Sequence, residues 1–140
     1  MTGTPQAAAV DWDLLRERAR QVRAHAYAGY SGYLVGAAAL ADDGRVLVGC
    51  NVENASIGLT LCAECGVVCD LYATGGGRLL AVACVGGRAG SAALVVLPCG
   101  RCRQLLAEHG GPGLLVDSAD GPVPLSLLLP DAFDAAEMNR

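Results

Sequence analysis

The residues with most chemical capacity in this chain fall in two short segments, Cys62-Ala63-Glu64 and, well downstream, Pro98-Cys99-Gly100-Arg101-Cys102. Zinc prefers four ligands in a tetrahedron. Three protein ligands with one position left for water make a catalytic site, and four protein ligands make a structural one. Cys62, Cys99 and Cys102 supply three thiols. Glu64, two residues beyond Cys62 near a helix start, can turn its carboxylate toward the water without replacing it and move protons there. The rival reading uses Cys65: Cys62-x-x-Cys65 and Cys99-x-x-Cys102 form two pairs that would close a four-cysteine site, a non-catalytic zinc module. Spacing alone leaves both open, although the spacer exceeds the usual zinc-ribbon gap.

The elements that must position these residues can be read from periodicity. Trp12, Leu15, Ala19, Val22 and Ala26 recur at helical spacing and predict a helix over 13–26, capped by Asp11 or Asp13. Residues 33–40 and 45–50 flank Asp42-Asp43-Gly44 and predict a hairpin. Residues 51–60 read as a loop, and 62–73 as a helix stopped by Gly75-Gly76-Gly77. The apolar run 79–85 predicts a strand buried on both faces, 93–97 another strand, and 99–109 a helix after Pro98, with edge strands at 114–116 and 123–125. This order implies an α/β domain, a three-layer α/β/α sandwich around a mixed, roughly five-stranded sheet. Cys62, Cys99 and Cys102 would then lie at helix N-termini, whose partial positive charge favours thiolates.

Bulk properties set the bounds. A length of 140 residues fits one domain, with 1–10 a flexible N-terminus, 11–134 the folded body and 135–140 a C-terminal tail. The chain is 53% hydrophobic and 17% charged, a balance that suits a packed core rather than disorder. Its net charge is −4, with ten scattered arginines and no lysine. That argues against nucleic acid as a partner and for a small neutral or cationic substrate. No secretory signal and no membrane-spanning run is expected. Seven cysteines, an odd number, fit metal ligation in a reducing cytoplasm better than a disulfide framework.

Five ordered blocks carry a family resemblance: Tyr30-Ser31 with Val35-Gly36-Ala37-Ala38; Gly49-Cys50-Asn51-Val52-Glu53-Asn54-Ala55; Cys62-Ala63-Glu64; Pro98-Cys99-Gly100-Arg101-Cys102-Arg103-Gln104; and Leu128-Leu129-Pro130 with Phe133. From Tyr27 to Phe133 the chain resembles the small cytidine deaminases of nucleoside salvage. The resemblance implies one Zn²⁺ per subunit on Cys62, Cys99 and Cys102, with Glu64 as proton shuttle. It also implies a pyrimidine nucleoside as substrate and a homotetramer whose active sites cross subunit boundaries. The implied reaction is hydrolysis of cytidine and 2'-deoxycytidine to the uracil nucleosides: oxygen adds at C4, N3 is protonated, and ammonia leaves.

Further roles follow from the same resemblance. Asn51 and Glu53 correspond to a ribose-binding pair, and an amide with a carboxylate suits a hydroxyl, which both donates and accepts. The plainer alternative is that these side chains hold their own loop. Ala63 would bond the pyrimidine edge through its backbone. Tyr33 stands where relatives place a phenylalanine against the base, and Phe133 resembles the aromatic sent into a neighbour's site.

The departures are specific. Cys65 replaces an arginine that in relatives bonds the thiolates; Arg103 is the first candidate to compensate beside the sulfurs, and Arg101 the second. Gly29 and Leu34 stand where prolines are common, and Ile57 where an aromatic is common. These leave a modified cytosine nucleoside such as blasticidin S as an alternative substrate. Cys50, Cys69 and Cys84 read as small apolar core residues.

Overall fold

The computed structural model describes residues 10–140. The expectation for residues 1–9 lies outside them, while Val10 is already buried against the body, one position before the expected boundary. Helix α1 (Trp12–Arg23) is capped by Asp11, whose carboxylate accepts from the Leu14 amide at 3.0 Å. It ends earlier than periodicity predicts. Tyr27 is drawn into pairing with the 51–53 segment, its N–H donating to the Asn51 carbonyl and its carbonyl accepting from the Glu53 N–H. Tertiary pairing overrides the last turn of local helical preference.

Strands β1 (Tyr33–Ala41) and β2 (Val46–Cys50) form the expected antiparallel hairpin. After helix α2 (Ala63–Ala73), β3 (Leu79–Arg88) pairs antiparallel with β1. The other edge of β3 is shared. Short β4 (Leu94–Val95) pairs antiparallel with Val85 and Gly86, while β5 (Leu115–Val116) pairs parallel with Ala81 and Val82. That division explains why the strand predicted over 93–97 is only two residues long. With β6 (Val123–Pro124), the mixed sheet has six strands in the order β2-β1-β3-β5-β6, with β4 attached to β3. Helix α3 (Gly100–Gly110) follows β4. Leu125 opens a short helix α4 (Leu125–Leu128) instead of ending a strand. The last residues are not a plain tail: Ala135–Asn139 forms a 3-10 turn whose amides at Ala136 and Glu137 donate to the Asp134 carboxylate.

Strand alternation builds the three layers. Ala37, Ala39, Val82 and Cys84 share one buried cluster with Val67, Leu71 and Leu106 from α2 and α3. Ala38, Ala81, Ala83 and Val85 face the other way, onto Leu15 and Ala19 of α1. Small side chains let the helices sit close to the sheet. At Gly49 the approach is closest to the site: a Cβ there would lie 2.3 Å from the Ala63 carbonyl oxygen and 2.7 Å from the Val67 nitrogen. The backbone of β2 therefore sets the position of the first turn of α2.

Candidate active site

Cys62 and Cys99 occupy the N-cap positions of α2 and α3, and Cys102 lies in the first turn of α3. The two helix starts converge, so that the sulfurs of Cys62, Cys99 and Cys102 all lie within 4.8 Å of one another. Cys62 Sγ and Cys99 Sγ are 3.8 Å apart. A tetrahedral zinc with Zn–S of about 2.3 Å separates its sulfurs by roughly 3.8 Å, so this donor set fits the ion. Cys65 does not join the sulfur cluster among the described residues; it sits in the helix three positions on, its N–H donating to the Cys62 carbonyl. The four-cysteine alternative loses its fourth ligand.

Burial and mutual charge set how the three thiols ionise. Burial, then the charge of Glu64 and the neighbouring thiols, pushes Cys102 far above the ordinary thiol range. Burial also raises Cys62, against hydrogen bonding from Cys102. Cys99 moves down: burial, which raises it, is outweighed by the backbone amide and thiol of Cys102 and the thiol of Cys62. Thiols this close resist shared ionisation, and a divalent cation among them reverses that cost.

Arg101 and Arg103 exchange the roles expected of them. Arg103 donates to the carbonyls of Pro98 and Leu128 at 2.9 and 3.0 Å, tying the start of α3 to the end of α4. Arg101 donates to the Thr60 carbonyl at 3.0 Å and reaches Cys62 Sγ at 3.6 Å. The reason is helical direction. Position 101 faces the start of α2, whereas position 103 points toward α4.

A cavity of about 250 Å³ opens over the sulfurs, lined in part by Tyr33, Asn51, Ala63, Glu64, Cys62 and Cys99. Val35, from the first of the five blocks, completes its wall with Thr60, Val96 and Leu97, which sequence did not single out. Glu64 and Ala63 are buried, and Tyr33 is partly exposed with its ring resting over Gly86, where a Cβ would come within 2.9 Å of the hydroxyl.

The Asn51 side chain holds β1: its Oδ1 accepts from the Val35 amide at 2.8 Å and its Nδ2 donates to the Tyr33 carbonyl at 2.9 Å. An amide retains one further N–H and one lone pair beyond these bonds. Glu53 lies outside the cavity lining, accepting from the amides of Tyr30 and Ser31 and from the Ser31 hydroxyl. The loop-holding role is thus real for both side chains. Phe133 is exposed and lies beside a different cavity, with its carbonyl accepting from Gln104 at 2.7 Å.

Sequence reading missed Cys84, whose thiol donates to Glu64 Oε2 at 3.4 Å. The signal was present in strand alternation, which puts Cys84 on the α2 side of the sheet, but the sequence carries no register between β3 and α2.

Comparison with known proteins agrees with this geometry. The family described as the cytidine and deoxycytidylate deaminase zinc-binding region matches residues 12–116. The cytidine deaminase of Mycobacterium tuberculosis is 62% identical over 131 residues, covering 94% of this chain and 96% of the relative. That of Halalkalibacterium halodurans is 39% identical over 135 residues, covering 93% and 99%. The crystal structure of the Mycobacterium tuberculosis cytidine deaminase matches with a TM-score of 0.83 at 64% identity, covering 89% of this chain and 98% of that one. The Mycobacterium leprae structure matches with a TM-score of 0.81 at 53% identity, covering 87% and 99%.

Proposed function

This chain belongs to the cytidine and deoxycytidylate deaminase family, and from that premise we propose that it hydrolyses cytidine and 2'-deoxycytidine to uridine and 2'-deoxyuridine with release of ammonia. The observation that carries the reading is a trio of clustered sulfurs, two of whose residues, Cys62 and Cys99, line a cavity that the buried Glu64 also lines. Cys62, Cys99 and Cys102 would hold Zn²⁺, which would supply Lewis acidity for activating water.

The protein side of the mechanism follows from the groups around the cavity. Glu64 accepts a proton from the attacking water and returns it to N3 as the C4–O bond forms. It then carries the second proton to the amino group, so that the C4–N bond breaks with ammonia as the neutral leaving group. Burial of Glu64 excludes competing solvent from this exchange. The backbone of Ala63 bonds the pyrimidine edge, and the Tyr33 ring packs on the base. Asn51 offers its remaining amide hydrogen to a sugar hydroxyl, and Glu53, outside the cavity lining, is the second group for that hydroxyl by family resemblance.

A cavity of 250 Å³ is below the ~300–1,000 Å³ usual for small-molecule sites. Completion by a second subunit suits that size. Exposed Ile57, Leu59 and Phe133 supply apolar surface for such a contact, which supports a homotetramer with Phe133 reaching a neighbour's site. Seven free cysteines suit a reducing cytoplasm, and among the described residues no helix is long and apolar enough to cross a membrane. The acidic balance, net charge −4, favours a small substrate over nucleic acid.

The test is one assay panel: cytidine, deoxycytidine, free cytosine and blasticidin S, following loss of the cytosine absorbance band and ammonia release. Turnover of the first two is expected. Turnover of blasticidin S alone, or of none, overturns the proposal.

A further inference from the structure

Cys84 reads from sequence as a small apolar residue in a buried strand, yet the structure gives its thiol a polar partner. Cys84 Sγ lies 3.4 Å from Glu64 Oε2, and both side chains are buried, 2% and 4% exposed. The backbone at this point is pinned from both edges: Cys84 pairs with Ala37 of β1, and its carbonyl accepts from the Val96 amide at 3.0 Å. The thiol therefore projects from a fixed point of the central strand toward the first turn of α2. Burial, then the charge of Glu64, keeps Cys84 protonated, so the thiol donates and the carboxylate accepts. Among the described residues Cys84 is the side chain that bonds this carboxylate.

We propose that Cys84 is a positioning residue for the deamination, its thiol proton holding Glu64 Oε2 against the sheet and leaving Oε1 for proton exchange with the reactants. The inference rests on the deaminase reading. A carboxylate that serves as both acceptor and donor within one turnover must return to the same place between the two transfers. A long side chain with three rotatable bonds does that best when one oxygen is held. A thiol is a weak donor, so it orients the carboxylate without greatly suppressing its basicity.

The test measures kcat and KM for cytidine, zinc content and thermal stability in the wild type, Cys84→Ala and Cys84→Ser. Cys84→Ala should lower kcat by about 10-fold with KM within about 2-fold, the pattern of an interaction that matters in the transition state. Cys84→Ser, whose hydroxyl also donates, should recover kcat to within about 3-fold of wild type. A space-filling role predicts no such split between the two variants. Wild-type kcat in Cys84→Ala, or Cys84→Ser as slow as Cys84→Ala at full zinc content, overturns the inference while leaving the deaminase reading intact. Should Cys84→Ala fail to fold or to hold zinc, infrared spectra of the wild type and Glu64→Gln decide the matter. The S–H stretching band should rise in frequency when the charged acceptor is removed, and an unshifted band overturns the inference. That arm needs no turnover, so an inactive wild type sinks the deaminase reading separately.

Discussion

Arg101 Nη2 lies 3.6 Å from Cys62 Sγ while also donating to the Thr60 carbonyl, so a guanidinium from α3 sits on a sulfur at the start of α2. A positive charge there offsets part of the negative charge of three thiolates. Groups that bond a metal ligand from behind tune affinity as well as orientation.

Replacing Arg101 with Ala should therefore weaken zinc retention by about 10-fold, the low end expected for a partner of a metal ligand because this side chain faces solvent. Competition with a chromogenic chelator reads it directly. Arg103→Ala should leave zinc affinity unchanged and lower the melting temperature instead, since its bonds go to Pro98 and Leu128 carbonyls.

Glu64→Gln should keep zinc and lose turnover by at least about 10²–10⁴, the usual contribution of a positioned acid-base group. Metal analysis and cytidine absorbance on the same sample check both halves. Substantial activity in this variant would remove Glu64 from the mechanism.

Cys62→Ser and Cys65→Ser separate an open site from a closed one. The first should lose zinc; the second should retain one ion per chain, because Cys65 lies outside the sulfur cluster. Equal losses in the two variants would restore the four-cysteine reading.

Gly49→Ala should be among the most damaging single-methyl changes near the site. Its Cβ would meet the Ala63 carbonyl oxygen at 2.3 Å, with Gly66 C at 2.9 Å. Backbone cannot rotate away as a side chain can, so a loss of about 3 kcal/mol is expected, the upper end for overpacking. Denaturant unfolding measures it, and zinc content should fall in parallel as the start of α2 shifts.

Glu53 ties the 30–31 segment to the 51–53 segment through the Ser31 hydroxyl and amide and the Tyr30 amide, and these bonds hold its pKa below the ordinary 4.5. A depressed carboxylate contributes stability that is present above its unfolded-state value and lost as pH falls through its folded-state value. Acid should therefore release this tie. Ser31→Ala, removing the largest cause, should bring the Glu53 titration back up toward 4.5, as followed by NMR of the carboxyl carbon.

Much of this was legible in one dimension because the physics is local. Cys62 and Glu64 are two positions apart, Cys99 and Cys102 three, and such spacings translate directly into one helix turn. The hairpin at Asp42-Asp43-Gly44, the buried strand β3 and the glycine stop after α2 were likewise written in turn chemistry and alternation. Asn51 and Glu53 show the limit. Both were singled out as a pair, yet only Asn51 lines the cavity, because the Glu53 carboxylate is taken up by the amides of Tyr30 and Ser31, contacts that span 23 and 22 positions of the chain.

By itself, then, the order of residues determined the two thiol-bearing segments, the proton-moving carboxylate beside one of them and the α/β class, since each depends on neighbours a few positions away. Tertiary structure alone decided that Cys65 stays out of the sulfur cluster, that Arg101 rather than Arg103 reaches Cys62, and that Cys84 touches Glu64. Each of these is a contact between elements far apart in the chain. Helix rotation and strand register set such contacts, and both emerge only when the layers close on one another.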